Sequence, residues 1–140
     1  MDPRDRHLIV DAVRSFLALR QDDVLAAYVF GSVARGAATS GSDIDVAVLL
    51  KAEPPHTVDG LRQDIADGLR ERLGRAVDLL VLNRAPADLV HRVLRDGLLV
   101  LDANPPLRRM FEVRRRNEFF DLEPVRRRYR QHEAAKAVAV

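Results

Sequence analysis

Cysteine is absent from the chain, and its four histidines are scattered at positions 7, 56, 91 and 132. Disulfides and thiolate zinc sites are thereby excluded, and the histidine spacing does not favour an imidazole zinc site. Any metal would have to be held by oxygen ligands. The lack of cysteine also fits a cytoplasmic protein, which is the location we expect.

Long apolar runs are missing as well, since none approaches the ~20 residues that a membrane-spanning helix needs. The first residues, MDPRDRHLIVDAVRSF, carry acids early and contain no uninterrupted apolar segment, so we expect neither a membrane partner nor a secretory signal. What the chain does contain is 47% hydrophobic and 31% charged residues over 140 positions. This composition is typical of one globular domain with a single core.

Positive charge is concentrated towards the C-terminus. Residues 105–140 hold ten Lys and Arg against five Asp and Glu, whereas residues 1–104 hold 13 against 16. A basic segment after an acidic body suits the docking of an anionic partner. It is equally typical of a solvated, arginine-rich helix, and the charge pattern leaves both interpretations open.

Hydrophobic periodicity predicts alternating helices and strands. Four apolar runs predict strands at 24–30, 44–50, 76–82 and 98–102, with Pro54 and Pro55 closing the second. Amphipathic stripes predict helices at 5–20, 57–73 and 86–96 and two C-terminal helical pieces at 105–116 and 124–137. We therefore expect a small α/β (α+β) domain over 1–104, with a mixed sheet covered mainly on one face. A helical extension over 105–140 would pack on this domain or on a partner.

Two acids open the predicted strand 44–50. Asp43 and Asp45 are two residues apart, and residues so spaced on a strand point to one face. Carboxylates that close repel each other unless a proton or a cation lies between them. A hard divalent cation, Mg²⁺ or Mn²⁺, is the natural occupant because it prefers oxygen ligands.

Asp78 is a third candidate ligand. It is the one charge in the predicted strand 76–82, which otherwise reads as fully buried, and a buried carboxylate is costly unless it is paired or bound to metal. If the two strands are neighbours, three acids could hold two metal ions ~3.5–4 Å apart, the arrangement used for in-line nucleotidyl displacement. Asp78 could then also help to deprotonate an attacking hydroxyl.

Gly31 and Ser32 follow the first predicted strand directly. A glycine there lets the backbone approach a phosphate, and Ser32 could cap a following short helix or donate to the anion. Arg35 offers a fork of donors for a phosphate oxygen. Taken singly, each feature has an ordinary explanation: a strand-to-helix turn, turn chemistry at Ser42 and Asp43, or solvated side chains. Their combination at this spacing favours a nucleotide site.

The stretch GSVARGAATSGSDIDVAVLL, residues 31–50, resembles the Gly-Ser-x(10)-Asp-x-Asp signature of polymerase-β-like nucleotidyltransferases. Its Arg-Gly and Ser-Asp details are similar to those of the minimal (MNT) group. The resemblance implies a polymerase-β-like fold, ATP as substrate and Mg²⁺, in two ions, as cofactor. It implies that Asp43, Asp45 and Asp78 are catalytic and bind the metal. The residues that it places on the nucleotide are Gly31, Ser32, Arg35 and Ser42.

Bacterial MNT proteins of this size are type VII antitoxins paired with HEPN-domain ribonucleases. The resemblance thus implies transfer of AMP from ATP to a tyrosine of such a toxin, which neutralises it. The C-terminal stretch from Phe119 to Pro124, followed by Arg128 and Tyr129, resembles the ending of those antitoxins. Aromatic side chains among arginines suit a protein interface, although Phe111 more simply ties the last helix to the core.

Three alternatives remain open from the sequence. Aminoglycoside-type nucleotidyltransferases share the motif but generally carry an added helical domain, for which the ~35 residues after the last strand are few. The chain could instead neutralise its partner by binding alone. Direct nucleic-acid binding is disfavoured because the basic segment contains no recognisable RNA-binding module.

Overall fold

Apolar runs and amphipathic stripes fold as alternating strands and helices in the computed structural model, which describes residues 1–52 and 58–138. Predicted strands 24–30, 44–50 and 98–102 are confirmed at both ends, and Pro54 and Pro55 lie outside the described residues. In chain order the elements are α1 Pro3–Ala18, β1 Val24–Phe30, α2 Gly31–Ala34, β2 Ile44–Leu50, α3 Val58–Leu73, β3 Val77–Val81, a 3₁₀ turn Leu82–Arg84, α4 Ala87–Asp96, β4 Leu98–Asp102 and α5 Pro105–Val138.

The four strands form one sheet in the order β3-β2-β1-β4. β1 pairs antiparallel with both β2 and β4, whereas β2 and β3 are parallel. The parallel pair is joined through α3, as a crossover connection requires. The predicted mixed sheet is confirmed, and β3 lies at its edge.

The expectation that the sheet is covered mainly on one face is wrong. One core cluster packs α1 and α3 on the sheet through residues such as Val13 and Leu69. A second cluster packs α4 and α5 on the opposite face through residues such as Val90 and Phe111. The reason is visible in β2, where Val46 and Ala47, on opposite faces, are both buried.

The two predicted C-terminal pieces are one helix, because α5 runs unbroken through Pro124. Proline removes one backbone donor and crowds the preceding turn, which usually kinks or ends a helix. The carbonyl that Pro124 leaves without its helical donor is that of Phe120, and the Arg126 guanidinium donates to the neighbouring Phe119 carbonyl at 2.9 Å. Neither α5 nor any other described helix is long and apolar enough to cross a membrane.

A buried polar network fixes the start of α5 to the sheet. The Tyr28 hydroxyl on β1 donates to Glu112 Oε1 at 2.6 Å, and Arg108 Nη1 donates to the same oxygen at 3.1 Å. Arg108 Nε also lies 3.0 Å from Asp102 Oδ1 on β4. Phe111, between these residues, is buried, as the sequence suggested. α5 is therefore anchored by both apolar and charged contacts.

Replacing Tyr28 with phenylalanine is expected to lower the free energy of unfolding by about 1–2 kcal/mol, because a hydrogen bond to a carboxylate is lost. Burial and the bond to Glu112 raise the pKa of the Tyr28 phenol well above its ordinary value. Because the pKa of this phenol is raised in the folded state, the free energy of unfolding of the wild type should fall as the pH rises above ~10. The Tyr28→Phe variant lacks the phenol, so its free energy of unfolding should not show this part of the decrease. Urea titrations at neutral and alkaline pH measure both effects.

Tyr129, the chain's only other tyrosine, supplies the control. It is 66% exposed, so Tyr129→Phe should change the neutral-pH stability by less than ~0.5 kcal/mol. Equal effects of the two substitutions would mean that the bond from Tyr28 to Glu112 does not hold α5 in place.

Candidate active site

The strand register brings the predicted acids to one end of the sheet. Asp45, the second residue of β2, pairs with Asp78 on β3 and with Phe30 on β1. Paired residues of neighbouring strands project from the same face, so the Asp45 and Asp78 side chains lie side by side on the face that carries α4. Asp43 immediately precedes β2 and lines the same cleft. The structure therefore brings all three predicted acids together.

The sequence left open whether Asp78 is a buried ligand or a solvated strand residue, and the structure shows the exposed position. Its side chain is exposed, and so is that of Asp43, whereas Asp45 is half-buried. β3 is an edge strand, and Asp78 faces the open cleft rather than a covering helix. Desolvation thus bears on Asp45 and not on Asp78.

Asp45 is the acid on which burial and like charge act together. Burial raises the pKa of its carboxyl above the ordinary value, and the negative charges of Asp78 and Asp43 raise it further, while Arg35 acts in the opposite direction. The cleft thus concentrates negative charge on one partly desolvated carboxylate. A bound cation would relieve that repulsion.

Gly31 lies directly against this carboxylate. Its φ is +66°, in the left-handed region, and a Cβ built on it would lie 2.1 Å from Asp45 Oδ2. Only glycine satisfies both conditions. Sequence reasoning assigned Gly31 to the close approach of a phosphate, and the structure adds a second reason, the packing of Asp45.

The other predicted nucleotide residues lie around the same cleft. Ser32 and Arg35 come from α2 and the residue after it, and both line the cavity. Ser42 also lines it, but its hydroxyl accepts a hydrogen bond from the Thr39 backbone at 2.9 Å. Arg75 holds this turn from outside by donating to the Ser42 carbonyl at 2.6 Å. The observed role of Ser42 is thus to shape the loop that presents Asp43.

The opposite wall of the cleft was not predicted from the sequence. The cleft has a volume of about 740 Å³. α4 contributes Leu89, Arg92 and Asp96, and α3 contributes Arg62, whose Nε donates to the Leu79 carbonyl at 3.2 Å. The spacing of residues 89, 92 and 96 along one helix face was a usable signal. Arg62 gave none, because exposed arginines are common on helices.

The donor set suits a hard divalent cation, since the three acids offer carboxylate oxygens and the repulsion on Asp45 favours a positive charge among them. Within the described part of the chain, however, no three His, Cys, Asp or Glu side chains are already drawn into a group that would hold a metal ion. Like charges keep such side chains apart until a cation draws them in.

A comparison with known protein families finds a match that spans all four strands of the sheet. The family model described as polymerase beta, nucleotidyltransferase matches residues 14–106, more than half of the chain. The chain belongs to the polymerase β nucleotidyltransferase family. A search of the curated proteins finds no match for this nucleotidyltransferase.

Solved structures similar to this nucleotidyltransferase share its fold over most of their length. A chain of a toxin–antitoxin crystal structure with AMP-PNP is 23% identical, with a TM-score of 0.76 over 89% of this chain and 98% of that one. A chain of the tri-AMPylated Shewanella oneidensis HEPN toxin in complex with MNT antitoxin is 22% identical, with a TM-score of 0.72 over 92% and 98%. A structure described as a minimal nucleotidyltransferase is 34% identical, with a TM-score of 0.53 over 70% and 95%.

Proposed function

We propose that this nucleotidyltransferase transfers AMP from ATP to a tyrosine of a HEPN-domain ribonuclease and thereby acts as its antitoxin. The observation that carries the chemistry is the register that pairs Asp45 with Asp78 beside Gly31 and Ser32. The choice of acceptor is supported by the fold shared with chains of toxin–antitoxin structures, one of which contains an AMPylated HEPN toxin.

Each wall of the cleft has a part in this reaction. Asp43, Asp45 and Asp78 would hold Mg²⁺, which supplies Lewis-acid stabilisation of the charge that develops on the phosphates. Ser32 and Arg35 offer donors for the phosphate oxygens, and Arg62 and Arg92 face them across the cleft. Asp78, exposed at the sheet edge, would accept the proton of the attacking tyrosine hydroxyl as its oxygen bonds to the α-phosphorus of ATP and pyrophosphate leaves.

An acceptor on another protein suits the shape of the site. Asp43 and Asp78 are exposed, so a side chain presented by a partner surface can reach them. We assign residues 1–104 to the transferase unit and residues 105–140 to an extension whose first turns pack on that unit. Further along α5, Leu122, Val125 and Tyr129 are exposed and available to a partner.

The test is labelled ATP with Mg²⁺ and the protein encoded by the gene next to that of this chain, which the proposal expects to be a HEPN-domain ribonuclease. Label is expected on the ribonuclease with loss of its RNA cleavage, and Asp43→Ala with Asp45→Ala should abolish both effects. Asp88→Ala, an exposed acid on α4, serves as the matched control and should retain both.

Two results would contradict the proposal. Neutralisation by the Asp43→Ala, Asp45→Ala double variant at wild-type strength would indicate an antitoxin that acts by binding alone. Transfer of label to an aminoglycoside and not to the ribonuclease would indicate a small-molecule enzyme.

A further inference from the structure

A second cavity lies at the other end of the sheet face that carries the cleft. Its volume is about 1050 Å³, and it lies between Leu25 of β1, Leu49 and Leu50 at the end of β2, and the first turns of α5. Three α5 side chains on its wall are apolar and exposed: Leu107 at 47%, Met110 at 67% and Val113 at 55%. Exposed apolar side chains grouped beside a groove are a feature of interaction sites.

We propose that this groove docks an amphipathic helix of the acceptor protein, with acidic residues along the edge of that helix's apolar face. The identity of this partner rests on the proposed function. Leu107, Met110 and Val113 recur every three residues and form a ridge along α5. A ridge beside a groove is the surface into which another helix packs.

The charge around the groove selects the partner. Lys51, Arg109 and Arg114 line it, and among the described residues that line it there is no Asp or Glu. A cationic rim favours an acidic partner surface and increases the association rate with it. A second copy of this chain fits poorly, since a two-fold contact would set the same cations against each other.

The floor of the groove is rigid before any partner arrives. The Asn83 side chain bonds both backbone groups of Leu50, accepting from its N–H at 2.9 Å and donating to its carbonyl at 2.8 Å. Arg115, which is buried, donates to the Asn83 carbonyl at 3.2 Å and also to the Ala85 carbonyl. A surface fixed in this way loses little conformational freedom on binding, which favours affinity.

The groove is separate from the chemistry. Leu50 is five residues along β2 from Asp45, roughly 17 Å at the rise of a strand. A change in the groove should therefore weaken acceptor binding and leave Mg-ATP binding as it is.

The test is calorimetric titration of the full chain with the same neighbouring gene product, the ribonuclease that the proposed function expects. Met110→Glu is expected to raise Kd at least tenfold, because it places a charged carboxylate in the apolar ridge, against the apolar face of the docked helix. Leu8→Glu on α1 is the matched control, since Leu8 is 66% exposed and lies on the other side of the sheet, and its Kd should equal that of wild type. Mg-ATP binding should be unchanged in both variants.

The outcomes separate this inference from the proposed reaction. Met110→Glu binding the ribonuclease as wild type does, or wild type not binding it, would overturn the docking groove. So would a wild-type dimer, formed without the ribonuclease, that Met110→Glu converts to a monomer. If wild type forms a complex that Met110→Glu weakens, yet transfers no AMP, the docking groove is supported and the proposed reaction is contradicted.

Discussion

Asp45→Asn is expected to raise the melting temperature in metal-free buffer while it lowers the rate of nucleotidyl transfer by about a thousandfold. The two effects have one cause. Burial and the charges of Asp78 and Asp43 make the ionised Asp45 unfavourable, so a neutral amide of the same shape relieves repulsion in the folded state. Each kcal/mol relieved raises the melting temperature by about 3–4 °C in a chain of this size.

The loss of transfer follows from the proposed role of Asp45 as a metal ligand. An asparagine oxygen is a weaker ligand than a carboxylate, and metal stabilisation of the transition state amounts to several kcal/mol, of which each ~1.4 kcal/mol is tenfold in rate. Mg²⁺ should therefore raise the melting temperature of wild type and leave that of Asp45→Asn unchanged. Thermal scans with and without Mg²⁺, beside single-turnover transfer assays, measure both effects.

The pH dependence gives an independent check. The pKa of Asp45 is raised in the folded state, so the wild-type carboxyl takes up a proton more readily when the chain is folded than when it is unfolded. The contribution of this proton uptake to the free energy of unfolding therefore grows as the pH falls. The stability gain of Asp45→Asn should accordingly be largest near pH 7 and shrink towards pH 4. Asp64→Asn, an exposed position on α3, should change neither stability nor transfer. A variant that melts below wild type in metal-free buffer would contradict the account of repulsion at Asp45.

The sequence predicted those features that depend on neighbours along the chain. Strands β1, β2 and β4 were found at their observed bounds, because continuous apolar runs between polar turns identify buried strands. The convergence of Asp43 and Asp45 followed from the two-residue period of a strand. That Asp78 joins them required β3 beside β2, which the sequence offered only as a condition.

Features set by tertiary position could not be predicted. An apolar strand has the same sequence pattern at the edge and at the centre of a sheet, so the sequence left open whether Asp78 is buried or exposed. The helix through Pro124 is supported by contacts across elements, since Phe119 stacks on His91 of α4 with ring centroids 3.8 Å apart. Arg62 became a candidate site residue only when α3 was placed beside the cleft.

Of the substitutions that add a single methyl group to this site, Gly31→Ala is expected to be the most damaging. The left-handed φ of +66° alone costs about 1–2 kcal/mol in any residue with a Cβ. The new Cβ would also lie 2.1 Å from Asp45 Oδ2, so either the strand end or the carboxylate must move. Overpacking of this kind costs a further ~1–3 kcal/mol, and transfer should fall below detection because Asp45 is displaced.

Gly36→Ala separates the two contributions. Gly36 has a φ of +70°, nearly the value at Gly31, but a Cβ built on it meets no atom within 4 Å. Its substitution should cost only the conformational part, about 1–2 kcal/mol, and leave most of the transfer activity. The difference between the two variants in denaturant titrations is thus a direct measure of how tightly Asp45 packs on the glycine.

A double variant tests whether the Asp45 carboxylate is the group that excludes a side chain at residue 31. In Gly31→Ala with Asp45→Ala, the carboxylate atoms at 2.1 Å and 2.9 Å are gone, and the nearest remaining atom of residue 45 is its Cβ at 3.3 Å. Stability should then recover to about that of Gly36→Ala, while transfer stays absent because the proposed metal ligand is missing. Additive losses in the double variant would instead show that residue 31 must be glycine for its backbone alone. Recovery would show that the glycine of the Gly-Ser pair and the second acid of Asp-x-Asp form one packed unit, with the spacing between them set by the strand pairing of β1 with β2.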